Sequence, residues 1–173
     1  MTANNKIFFL LFCLITGIYG CQCNQPKDPH QEIKITHPNL KLESIRLDSL
    51  IFNTPFENIE QFKSSLEKQS HQSICTFVED IVRMGPCQDS ATFHQLHAFS
   101  IFKDMVDLQK AIETTYNIES VQKLNEALSK AFQKWISILP QEIAPELIWM
   151  NGSLASASYA KENRLFIGLD SYL

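Results

Sequence analysis

Residues Glu146 to Leu173 read ELIWMNGSLASASYAKENRLFIGLDSYL, and the fold class turns on how that stretch is parsed. Leu147 to Met150 is too short an apolar run for a helix and is bounded by Pro145 and Asn151-Gly152, so it predicts a strand. A run of small residues follows, then a turn around Ala160 to Asn163, then a closing strand from Leu165. Strands at the end of a chain whose earlier period is helical define an α+β domain: mainly helical, with an N-terminal strand and a C-terminal β-hairpin.

The helical period fills the middle of the chain. Val121, Leu124, Leu128, Phe132, Trp135 and Leu139 recur at three- and four-residue steps, predicting a helix that Pro140 ends and whose stripe faces the core. Glu126 and Lys130 stand at i,i+4 on its wet side. A helix is likewise expected over Met105 to Tyr116 and, with a more mixed face (Phe93, Leu96, His97, Ser100), from the capping pair Asp89-Ser90 to Ile101. Ser73 to Met84 carries Phe77, Ile81 and Met84 on one face and is stopped by Gly85-Pro86. Pro55 suits a first helical turn ahead of Phe56, Ile59, Phe62 and Leu66. Before it, Ile33/Ile35, Leu40/Leu42 and Ile45/Leu47 alternate, which places a half-buried strand near Lys41 to Asp48; Pro38 confines the earlier patch to an edge.

At 173 residues, 45% apolar and 20% charged, the chain has the makeup of one globular domain. Its net charge is −4 and its Lys and Arg are scattered singly, which argues against nucleic acid as a partner. Ile7 to Gly20 is a different segment: fourteen apolar-rich residues behind Lys6, too short to span a hydrocarbon core, which takes about 20. It reads as the core of a secretory leader covering residues 1–20. Ile18-Tyr19-Gly20-Cys21 resembles a bacterial lipobox, which makes Cys21 the lipidated first mature residue, with Cys23 as a competing acceptor. Residues 21–31 then form a polar, proline-containing tether, and 32–173 the domain. Loss of the leader takes the net charge to −5. Outside a reducing cytosol Cys75 and Cys87 are free either to pair, closing a loop worth roughly 3 kcal/mol, or to stay as buried thiols. Both readings stand at this point.

Catalytic signatures are scarce. The chain has no GxSxG, P-loop, GxGxxG or CxxC pair, and no HExxH. His94 and His97, at i,i+3, are weak metal candidates, with Cys87 or Asp104 as a third ligand that nothing specifies. Ser153, Ser156 and Ser158 alternate along the small-residue run without a base in view, and Asn151-Gly152-Ser153 reads as a turn. Glu79-Asp80 and Asp104/Asp107 read as solvated helix faces. Asp170 stands inside an apolar run, where it is expected to cap a following helix or to meet a buried Arg.

Several of these pieces together resemble one family. Ser44 to Phe52, SIRLDSLIF, is similar to an Arg-aromatic-Asp segment, with Leu47 at the aromatic position. Phe77 to Pro86 and the run from Leu124 through Pro140 and Pro145 to Ser153 resemble the helices and strand that follow it; here Trp149-Met150-Asn151-Gly152 replaces an aromatic-Ile-Ser-Gly run. Leu165 to Leu173, LFIGLDSYL, carries the most specific match, a Gly-Leu-Asp-x-Tyr-Leu signature at Gly168, Leu169, Asp170, Tyr172 and Leu173. The chain thus resembles the gliding motility lipoproteins of the GldB family of Bacteroidetes, from about residue 40 onward. The resemblance implies a cell-envelope lipoprotein, anchored in the cell or outer membrane through acylated Cys21 and facing the periplasm. It implies protein partners in the gliding apparatus and its secretion machinery, no cofactor and no established catalytic residue. Family members continue past the Gly-Leu-Asp-x-Tyr-Leu segment, so the expectation is the N-terminal part of the family's length. The alternative, on element order alone, is an inactive or truncated relative of the zincin metallopeptidases.

Overall fold

A computed structural model describes Thr36 and residues 39–139 and 143–173; the predicted leader, Cys21, Cys23, the tether and Pro140 lie outside the described residues. The domain is α+β. Its strands are β1 (Ser44–Arg46), β2 (Glu146–Met150), β3 (Ser158–Lys161) and β4 (Arg164–Gly168). Its α-helices are α1 (Leu47–Asn53), α2 (Ile59–Thr76), α3 (Ser90–Ile101), α4 (Lys103–Thr115) and α5 (Ile118–Ile138).

The strands form one mixed sheet in the order β1-β2-β4-β3. β1 and β4 flank β2 in parallel, Ile148 standing opposite both Ile45 and Phe166. Among the described strands only β3 and β4 make a hairpin, closed by Glu162-Asn163, where Glu162 takes a left-handed φ of +54°. The expected turn is therefore in place, but Leu147 to Met150 is a parallel neighbour of the closing strand. The small-residue run crosses over the end of β4 to reach the far edge.

Both faces of the sheet are covered. Ile148, Met150 and Phe166 point into a cluster with Leu47, Ile51, Phe62, Leu66, Phe93 and Leu96, supplied by α1, α2 and α3, and with Phe77 just past the end of α2. Leu147 and Trp149 point the other way, against Ile112 of α4, Val121 of α5, Leu42 and Leu169. A strand buried on both faces needs no polar alternation, which is why Leu147 to Met150 is apolar throughout.

Local differences from the expected helices have local causes. β1 is three residues long because Asp48 folds back onto Arg46 and opens α1, where a carboxylate favours a helix N-terminus. Pro55 stays outside the next helix, which begins after Asn58, whose side chain accepts from the Gln61 amide at 3.0 Å. The two helices expected on either side of residue 70 are one element kinked at Ser70. It continues into a wide turn, Phe77–Ile81, closed by Val82 N donating to Phe77 O at 2.9 Å. The element ends at Ile81, earlier than the Gly85-Pro86 stop expected from sequence, because Val82 caps it and Arg83 turns left-handed at φ +54°. Gly85, at φ +145°, lies in the loop that follows, where a Cβ would stand 2.8 Å from Thr92 Oγ1.

α5 departs most from expectation. Val121 and Ile136 are buried and Leu128 and Phe132 pack partly on the second cluster, but Leu124, Trp135 and Leu139 are exposed. The helix instead turns a polar row at four-residue steps toward the extended chain before β1. Ser137 Oγ accepts from Thr36 N at 2.9 Å, and Gln133 Nε2 donates to Leu40 O at 3.0 Å. Ser129 Oγ accepts from Leu42 N at 3.1 Å, and Asn125 Nδ2 donates to Ser44 Oγ at 2.8 Å. The chain that enters the sheet is thereby hydrogen-bonded lengthwise to α5. The carboxylate of Glu126 accepts from Gln122 at 3.3 Å.

Candidate functional site: a polar junction at the carboxyl edge of the sheet

In open sheets with parallel strands, polar side chains gather where the strands end. Here β1, β2 and β4 deliver Arg46, Asn151 and Asp170 to one edge. Asp48, 1% exposed, is held by Arg46 through Nε–Oδ1 at 2.7 Å and Nη2–Oδ2 at 2.5 Å, a forked pair. Arg46 Nη1 also donates to Tyr116 O at 2.9 Å, at the end of α4. The hydrogen bond to Asp48 raises the pKa of Arg46, against the opposing effect of burial and with help from the charges of Asp48 and Glu113. Gln109 Nε2 donates to Asp48 Oδ2 at 3.1 Å and to Glu113 Oε1 at 3.2 Å. Its Oε1 accepts from Asn151 Nδ2 at 3.3 Å, closing a chain from β1 to the end of β2.

Asp170 does neither thing expected of it. Its carboxylate accepts two backbone donors of the crossing loop, Gly152 N at 3.2 Å and Leu154 N at 2.5 Å. Ser153 and Leu154 are both left-handed, at φ +54° and +59°, which turns those amides toward one point. Gly168 has the matching steric role: a Cβ on it would come within 2.5 Å of Ser156 O. Gly-Leu-Asp therefore works as a unit, the glycine letting the loop pass and the carboxylate tying it down. Tyr172 contributes its carbonyl, which accepts from Tyr116 Oη at 2.7 Å; Tyr172 and Leu173 have exposed side chains.

The other sequence candidates are scattered. His94 is exposed on α3, while His97 stacks on Phe56 at a centroid distance of 3.7 Å and meets the edge of Phe62. Cys87 does not join them. Its Sγ is bonded to Cys75 Sγ across twelve residues, with His71 Nε2 3.7 Å from Cys75 Sγ. His71, Cys75 and Cys87 have ligand-type atoms within 4.8 Å of one another, but the disulfide leaves only the imidazole able to bind a metal. Ser153 and Ser156 lie in the crossing loop and Ser158 opens β3, with Ser156 Oγ donating to Ser158 O at 2.8 Å. Glu79 and Asp80 are not a solvated pair: Glu79 Oε1 accepts from Cys87 N at 2.6 Å, and Asp80 binds Lys161 at 2.7 Å. Asp107 pairs with Lys103 at 2.6 Å, which lowers the carboxyl and raises the amine. Gln109 was not singled out from sequence, since a polar residue in an amphipathic helix gives no sign that it will be buried.

The residues that meet at this edge spend their hydrogen bonds on one another. Fold and site together define an α+β domain, its mixed sheet enclosed between helical layers and its strand ends joined by buried polar contacts. The family model for gliding motility protein GldB matches residues 28–173, and the chain belongs to that family. No curated protein and no solved structure matches the chain.

Proposed function

We propose that this GldB-family chain is a lipid-anchored cell-envelope protein that supports gliding motility and its secretion machinery through protein contacts, without catalysing a reaction. Family membership supports the association with gliding. The observation that carries the non-catalytic reading is the mutual saturation of Arg46, Asp48, Gln109 and Asn151, which gives those polar groups a part in holding strand ends together. Lipobox-like Ile18 to Cys21 supports the anchor. Among the described residues no helix is long and apolar enough to cross a membrane. In this reading the acyl anchor carries the membrane attachment.

The test is complementation of a strain lacking the gene, read out as colony spreading and labelled-palmitate incorporation. The wild-type chain should restore spreading and take up label, and Cys21→Ala should do neither. Labelling that survives Cys21→Ala would defeat the assignment of the anchor. A measured turnover that Asp48→Asn abolishes in the folded protein would defeat the non-catalytic reading.

A further inference from the structure

The outer face of α5 carries apolar side chains that the fold does not cover. Leu124 is 37% exposed, Trp135 38%, Ile138 58% and Leu139 45%, whereas Trp149, the other tryptophan, is 2% exposed. Lys130 and Lys134 are exposed on the same half of the helix, and no acid occurs from Ala127 to Leu139. A tryptophan with branched aliphatics beside it and lysines along its flank is the composition of a helix lying in a lipid headgroup region. The lysine stems can lie along the apolar surface while their amines reach anionic headgroups.

Where the chain leaves the domain singles out a lipid surface as the occupant. Thr36 is hydrogen-bonded to Ser137, in the last turn of α5 beside Trp135, Ile138 and Leu139. Cys21 is fifteen positions upstream, a covalent distance of at most about 50 Å. The end of the domain joined most directly to the acyl anchor is thus the end that presents the apolar, basic half-helix. A second copy of this chain fits less well, because its own Lys130 and Lys134 would approach the same two lysines.

We propose that the C-terminal half of α5 is the lipid-facing surface of the domain, with Trp135, Ile138 and Leu139 entering the headgroup region and Lys130 and Lys134 meeting anionic lipid. The orientation rests on the Cys21 anchor proposed above. It would hold the carboxyl edge of the sheet in a set relation to the bilayer, the anchor alone leaving the domain free to tumble on its leash.

The test uses the full chain, acylated in cells and reconstituted into phosphatidylethanolamine–phosphatidylglycerol vesicles whose acyl chains are brominated. Tryptophan emission should fall, the loss should vanish in Trp135→Phe, and Lys130→Glu/Lys134→Glu should reduce it. Palmitate labelling is measured on the same preparations. Undiminished emission from a chain that carries palmitate overturns the proposal, as does an intermolecular disulfide formed by Ala131→Cys across two α5 faces. Quenching at Trp135 in a chain without palmitate would support the surface while removing the anchor.

Discussion

The two faces of the sheet are built on different principles. On the first, Phe62, Phe77, Phe93 and Phe166 are wholly buried, and the helices that hold them are stapled by the Cys75–Cys87 disulfide. On the second, a smaller apolar cluster is supplemented by hydrogen bonds: the polar row of α5 grips the chain before β1, and Trp149 Nε1 donates to Asn125 Oδ1 at 3.1 Å. The first face buries four phenylalanines completely, while on the second Trp135 and Ile138 of α5 point outward. Stability is concentrated where the helices close over the sheet.

That contrast can be broken in graded steps, all readable by denaturant unfolding of the purified chain. Phe166→Ala should cost most, about 4 kcal/mol, because it leaves a cavity at the centre of the first cluster. Asp48→Ala comes next, at about 3 kcal/mol, because Arg46 and Gln109 lose their shared acceptor in a dry site. If that variant unfolds like the wild type, the junction is not what joins the strand ends. Reducing Cys75–Cys87 should remove about 3 kcal/mol, the constraint of a short loop on the unfolded chain.

Ser129→Ala tests the second face and should cost about 1 kcal/mol, since Leu42 N is left without its acceptor. Amide exchange of Leu42 should accelerate while amides of the first face stay protected; equal acceleration on both faces would contradict the division. The smallest effect concerns pH. A hydrogen bond from Lys161 to Asp80 raises the pKa of Lys161 above its unfolded value, about 10.4. The pair's contribution is therefore complete below that value and lost as pH rises through the higher folded one. Asp80→Asn should abolish this alkaline slope and leave the neutral-pH midpoint little changed.

Much of this architecture is legible in the chain itself. Periodicity places α4 and α5, and the apolar run at Leu147 and the turn before Arg164 locate two strands and a hairpin. The kinked helix stops at Ile81, before the Gly85-Pro86 pair that marks its end in the sequence. The candidate site is less legible. Arg46 and Asp48 stand two apart in a segment that resembles the family's, yet nothing local says that Gln109 will reach Asp48 from 61 residues away or that Asn151 will reach Gln109 from 42. The stripe on α5 has the pattern of a core face, because an amphipathic face looks the same whether a sheet or a lipid surface covers it. Ser129 and Ser137 carry no signal in the sequence, because a serine in a helix shows no preference for what its hydroxyl meets.

By itself the sequence determined the α+β class, the order of its elements and the family, since these depend on local period, turn chemistry and short signatures. Only the tertiary structure decided the parallel pairing of β2 with β4, the joining of Cys75 to Cys87, and the capture of the crossing loop by Asp170. Each of those is a contact between segments whose own preferences are already satisfied locally. Geometry in three dimensions chooses among such partners, because burying one polar group requires that a particular distant one be there to meet it.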